Sequence, residues 1–120
     1  MQLTEITFAG ATPIDGYGPG FFRVAGEVVE GPILVTVTSA RSWGGYDDSA
    51  PLLDLAEDVD VIFIGTGAET AHIPAGLRRT LEDAGIGLEV MSSPAACRTY
   101  NVLLSEQRRV AVALLAAVGA

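Results

Sequence analysis

Lysine is absent from this 120-residue chain, and histidine and cysteine occur once each, as His72 and Cys97. Without lysine there is no Schiff-base chemistry, no lysine-activated nucleophile and no phosphate loop of the lysine-dependent kind. One histidine and one cysteine cannot assemble a multi-ligand zinc site within a single chain. A serine–histidine–acid triad would have to recruit His72, and no Gly-x-Ser-x-Gly elbow is present. A lone cysteine also rules out a disulfide scaffold. The longest purely apolar run, Val110 to Val118, is about half of what a membrane-crossing helix needs. The opening Met1-Gln2-Leu3-Thr4-Glu5 has neither the basic start nor the apolar stretch of a secretory signal, so a cytoplasmic location is expected. No cofactor and no metal are expected.

What the chain does have is apolar content, 49% of residues with a mean hydropathy of +0.39. That argues against disorder. A chain of this mass exposes about 18,000 Å² unfolded and about 6,000 Å² folded, enough burial for one core without staples. Residues 1–120 are therefore read as a single domain. The formal charge is −8 and the pI near 4.3. Phosphate backbones and anionic bilayers repel such a surface, which excludes nucleic acid and membrane surfaces as ready partners. The charge is uneven: residues 1–77 sum to −9 and residues 78–120 to +1. A basic partner, or an anion held in a local pocket, is compatible with that split.

Periodicity supplies the elements. Leu3–Ala9 reads as a strand with Ile6 and Phe8 on one side, and residues 10–20 read as a turn-rich loop. Within it, Gly16, Gly18 and Gly20 suggest positive φ angles or close backbone approach. Phe21–Ala25 and Pro32–Thr38 read as strands. In the Pro32–Thr38 strand, Ile33, Val35 and Val37 face one way and Leu34, Thr36 and Thr38 the other. Arg41–Ala50 reads as a polar loop, and Pro51 opens a short helix through about Glu57. Val61-Ile62-Phe63-Ile64 is apolar on both faces, as a central parallel strand should be. A helix over Pro74–Ala84 is stopped by Gly85, and Ile86, Leu88 and Val90 alternate in a further strand. From Ser93, placed as cap with Pro94 at the first position, the pattern reads as helix to Val118. A break near Ser105-Glu106 is compatible with the spacing but not demanded by it. Strands followed by helix–strand–helix–strand–helix give an α/β fold with a mixed sheet.

Two stretches carry candidate chemistry. Gly65-Thr66-Gly67 stands at the carboxyl end of a central strand, where α/β folds place ligands. It lacks the third glycine of a dinucleotide fingerprint, and such glycines also serve a tight turn. Ser92-Ser93 precede a helix N-terminus whose amides and dipole attract anions. Arg98 could bind that anion and Tyr100 or Asn101 orient it, whereas packing and capping are the plainer roles. Cys97, one turn into the helix, is a candidate nucleophile or a small core residue. Trp43, beside Gly44-Gly45, either closes a pocket or anchors a loop. His72 reads as a loop-end residue. Asp47, Asp48, Asp54, Glu57, Asp58 and Asp60 lack the spacing of a calcium loop and read as a solvated acidic face.

Ile14-Asp15-Gly16-Tyr17-Gly18-Pro19-Gly20-Phe21, Trp43, Ile64-Gly65-Thr66-Gly67 and Gly85–Met91 follow one another in a familiar order. With Ala95-Ala96-Cys97-Arg98-Thr99-Tyr100-Asn101-Val102-Leu103, Glu106 and Arg108–Ala113, they resemble the domain-of-unknown-function 498/598 family across nearly the whole chain. This family includes mitochondrial respiratory complex I assembly factor 3, the adipogenesis-associated domain protein and many small bacterial and archaeal proteins. Met91-Ser92-Ser93 departs from the family's usual Met-x-Thr while keeping a hydroxyl. The resemblance implies three layers: a central mixed sheet with one antiparallel strand, flanking helices and a small β element. The all-arginine basic set suits a bacterial member from a GC-rich genome. Two functions follow. One is a non-catalytic assembly factor or adaptor whose partners are membrane or respiratory complex subunits. The other is a small-anion-binding protein or enzyme with a pocket between Gly65-Thr66-Gly67 and the helix near Ser93.

Overall fold

The computed structural model describes residues 5–7 and 12–117. Its centre is a run of strands buried on both sides. Strand β7 (Val61–Gly65) is flanked in parallel by β8 (Gly87–Met91) and by β9 (Val110–Leu114). β9 pairs antiparallel with β5 (Ile33–Val35), which pairs with β6 (Ser39–Ser42), and β1 (Glu5–Thr7) closes that edge. The order β1-β6-β5-β9-β7-β8 makes a six-stranded mixed sheet. β5 is the antiparallel strand inside it, and the three-residue β1 at the edge runs the same way as β5.

The sequence dictates which side each residue covers. Along β9, Val110, Val112 and Leu114 join one apolar cluster, and Ala111 and Ala113 join the other. The larger side chains meet helix α3 (Ser93–Ser105) and a small three-stranded sheet. That sheet is β2 (Ile14–Gly18), β3 (Phe21–Val24) and β4 (Glu27–Glu30), whose Ile14, Phe22, Val24 and Val29 point into the core. The small alanines leave room on the opposite side for Leu52 of α1 (Ala50–Leu53) and for Leu77 and Leu81 of α2 (Ala75–Asp83). The result is three layers, with helices on both sides of the mixed sheet and the small β element beside α3.

Several expectations need correction. The C-terminal third is not helical throughout: α3 ends at Ser105, Gln107 turns the chain at φ 61°, and Val110–Leu114 is a central strand. All five of its residues are buried, and a strand enclosed on both sides has no apolar–polar alternation to distinguish it from a buried helix. The turn-rich stretch contains strand β2, hidden by its glycines; a Cβ on Gly18 would run into the Phe21 ring that lies across it. Gly20, at φ 73°, makes the turn into β3. The Pro32–Thr38 strand stops at Val35, because Thr36 Oγ1 accepts the Ser39 N–H at 3.1 Å and bends the chain, leaving Val37 exposed. Strands β4 and β6 have no counterpart in the periodicity, and each is only four residues long. The short helix at Pro51 ends at Leu53 and continues as turns, and of the first predicted strand Leu3, Thr4, Phe8 and Ala9 lie outside the described residues.

Candidate functional site

The carboxyl ends of β7, β8 and β9 meet where the sequence places its ligand motifs. The residues there bind one another. Ser92, not Ser93, is the helix cap, its Oγ accepting the Ala95 N–H at 3.3 Å from an extended backbone. Ser93 is wholly buried, and its N–H donates to the Gly67 carbonyl at 2.7 Å. Its hydroxyl donates to the Leu115 carbonyl at 2.6 Å and accepts the Gly67 N–H at 3.0 Å. Thr66 N–H donates to the Met91 carbonyl, its hydroxyl donates to the Glu69 carbonyl at 2.7 Å, and the Gly65 carbonyl accepts from Leu115 N–H. A side chain on Gly65 would meet Leu114 Cδ2 and Ser93 Oγ, both at 2.6 Å. Gly65, Thr66, Gly67, Ser92 and Ser93 are thus brought together, as a closed junction. The N-terminal amides of α3 already have partners: Ser93 N–H and Ala95 N–H bond internally, and Pro94 has none.

The remaining predicted residues lie elsewhere. Asn101 works as a clamp on β2: its Oδ1 accepts the Ile14 N–H at 2.8 Å and its Nδ2 donates to the Ile14 carbonyl at 2.9 Å. Tyr100 is fully buried; its hydroxyl donates to the Thr36 carbonyl and meets Thr12 Oγ1, each at 3.0 Å. Burial pushes the phenol up to about 12, against a smaller lowering by the Thr12 bond. The Tyr100-Asn101 pair therefore ties residues 12–14 and 36 onto α3. Cys97 lies in the same core, and burial pushes its thiol up to about 11 despite the neighbouring Arg98 charge. A thiol in that state is a poor nucleophile at neutral pH. Arg98 projects from the exposed side of α3. Trp43 is buried, donates from Nε1 to the Asp48 carbonyl at 2.9 Å and meets Tyr46 edge-on, which anchors the loop to Asp48.

Open space lies elsewhere among the described residues. A cleft of about 430 Å³ runs between the β5–β6 turn and the residues after α1, with Leu34, Val59 and Val110 at its floor and Arg41, Asp54 and Asp58 on its walls. Another cleft, of about 260 Å³, is lined by Thr70, Ala71, His72, Arg78 and Val90. It opens beside the long β7–α2 connection and the outer strand β8. Sequence reasoning places His72 at the end of a loop and misses the cleft; the signal is the nine-residue gap between Gly65 and Ala75, too long for a tight turn. Among the described residues, no group of three or more His, Cys, Asp or Glu side chains could hold a metal ion. No helix among them is long and apolar enough to cross a membrane.

The chain is similar to known proteins in sequence and in fold. A Rhodobacter capsulatus protein of uncharacterised function is 55% identical over the whole chain and 97% of its own length. The zebrafish NADH dehydrogenase [ubiquinone] 1 alpha subcomplex assembly factor 3 is 36% identical over 96% of this chain. Its human counterpart is 31% identical over the same share. The chain spans 70% of the zebrafish protein and 66% of the human one. Among solved structures, one described as an outer membrane protein from Bartonella henselae superposes with a TM-score of 0.80 at 37% identity, covering 90% of this chain and 97% of that one. A Bordetella pertussis protein described as a Mth938-like domain gives 0.75 at 27% identity, covering 100% and 95%. The model of the family described as protein of unknown function (DUF498/DUF598) matches residues 14–115, from the first strand of the small sheet to just past β9, and the chain belongs to that family.

Proposed function

We propose that this chain is a non-catalytic assembly factor or adaptor, acting from the cytoplasmic compartment on subunits of a respiratory or other membrane complex. The observation that carries this reading is the 36% identity, over 96% of the chain, to a protein named as a complex I assembly factor. The closed junction is consistent with it. Ser93, Tyr100 and Asn101 hold the fold's own segments together, and Cys97 sits in the core with a raised thiol. The competing reading, a small anion at Gly65-Thr66-Gly67 and Ser93, would require the anion to displace those internal partners.

The test is recovery of the tagged protein from its native host in mild detergent, followed by mass spectrometry. Stoichiometric subunits of a respiratory or membrane-insertion complex are the expected result. Clean, partner-free protein would overturn the adaptor reading. A melting temperature raised by phosphate or carboxylates, and lost in Arg98→Ala, would favour the anion instead.

A further inference from the structure

β8 is the last strand of the six-stranded sheet, and its pairing with β7 fixes which backbone groups point outward. Gly87 N–H donates to the Asp60 carbonyl at 3.1 Å, and the Met91 carbonyl accepts from Thr66 N–H at 2.9 Å. In a parallel ladder alternate residues bond to the same neighbour, so Gly87, Glu89 and Met91 face β7. The N–H and C=O of Leu88 and Val90 therefore point away from the sheet, and among the described residues they have no partner. Such an edge is a template for another strand.

Side chains beside this edge say what kind of strand. Val90 lines the 260 Å³ cleft with His72 and Arg78. A −8 chain thus presents basic groups there. Among the described residues the Arg78 side chain meets Glu82, at 3.4 Å and half exposed, a pair too weak to hold it against a better partner. On the other side of the sheet, Glu89 is exposed midway along the edge. Another copy pairing antiparallel about the centre of β8 would set Glu89 against Glu89, which is unfavourable. The edge discriminates against itself.

We propose that β8 is a docking strand for an extended segment of a protein partner, adding a seventh strand to the sheet. An acidic side chain of that segment seats in the His72–Arg78 cleft, and a basic one lies against Glu89 on the opposite side. Because side chains alternate along a strand, the two charges are adjacent in the partner's sequence. Main-chain bonds to Leu88 and Val90 supply affinity and the cleft supplies selectivity. This inference rests on the adaptor reading and names its surface.

The test is selection of random dodecapeptides, displayed on phage, against the immobilised full chain. Enriched peptides are expected to carry Asp or Glu next to Lys or Arg within a β-branched run. On titration, a synthetic copy should slow hydrogen exchange at the Leu88 and Val90 amides. Leu88→Pro removes one outward donor at a position where an edge strand tolerates proline, and should weaken binding at least tenfold. Arg78→Glu should weaken it similarly, and Val102→Lys on α3 should not. Should Leu88→Pro fail to fold, the exchange data on the native chain decide. No enrichment, protection elsewhere, or undiminished binding to folded Leu88→Pro would overturn the proposal, as would a native dimer that Leu88→Pro dissociates. If Leu88→Pro still recovers the native partner, β8 falls and the adaptor reading stands; if the native chain recovers none, the adaptor reading falls.

Discussion

Two connections leave the carboxyl ends of neighbouring parallel strands, and they are built in opposite ways. From β8 to α3 only Ser92 intervenes, and Ser92 and Ser93 bond to α3, the Gly67 loop and the end of β9. From β7 to α2 the chain takes nine residues, and beside it the cleft at His72 stays open. The β8–α3 junction and the Gly65-Thr66-Gly67 turn packed on it resemble a ligand site in sequence because together they concentrate glycines and hydroxyls. Those same groups satisfy one another when the strands come together. Beyond Gly67 the β7–α2 connection reads as an ordinary loop, yet polar side chains line open space beside it. A polar motif indicates a site only after its internal hydrogen bonds have been counted.

Substitutions that separate the two junctions should differ sharply. Gly65→Ala is expected to cost the most, about 3 kcal/mol, since overpacking here meets the Ser93 Cα at 2.8 Å as well as side chains. Urea denaturation would read it. Ser93→Ala should cost about 2 kcal/mol, because it leaves the buried Gly67 N–H without its acceptor. In the open junction, His72→Ala and Arg78→Ala should each stay within about 0.5 kcal/mol in the same assay. Equal losses at Ser93 and His72 would erase the contrast.

The α3 core sharpens it through pH. Both raised groups, Cys97 at about 11 and Tyr100 at about 12, keep their protons when folded after the unfolded chain has begun to lose them. Their ordinary values are 9.0 and 10.0, so stability is complete below pH 9 and falls between pH 9 and 12. In Cys97→Ala the decline should begin about one pH unit later, as followed by melting temperature, because the raised groups that remain, Tyr100 and Tyr46, are phenols with an ordinary value of 10.0. Thiol labelling of the native protein at about pH 8, below the ordinary thiol range, should proceed only as fast as the chain unfolds.

Much of the fold was legible where periodicity is unambiguous. Val61–Ile64 reads as a strand buried on both sides, and Leu77 with Leu81 marks one side of α2. What failed was β9, whose Val-Ala alternation expresses two different neighbours, α3 and the α1–α2 layer, rather than core and solvent. β2 failed because Gly16 and Gly18 carry no side chain to display a period, and Gly18 is small to admit Phe21. At the candidate site, Gly65, Thr66, Gly67, Ser92 and Ser93 come from two stretches that their motifs alone could single out. The Leu115 carbonyl that Ser93 bonds arrives from just past β9, and no local pattern announces it. Asn101 was equally opaque: its clamp on Ile14 spans 87 residues of sequence.

The most direct test of the closed junction is amide hydrogen exchange at Gly67, Ser93 and Ala95, measured by NMR with and without inorganic phosphate. All three N–H groups donate within the fold, so strong protection, unchanged by phosphate, is the result the account predicts. Fast exchange at these positions, with shifts that saturate as phosphate is added, would contradict it and return the junction to the role its sequence suggests.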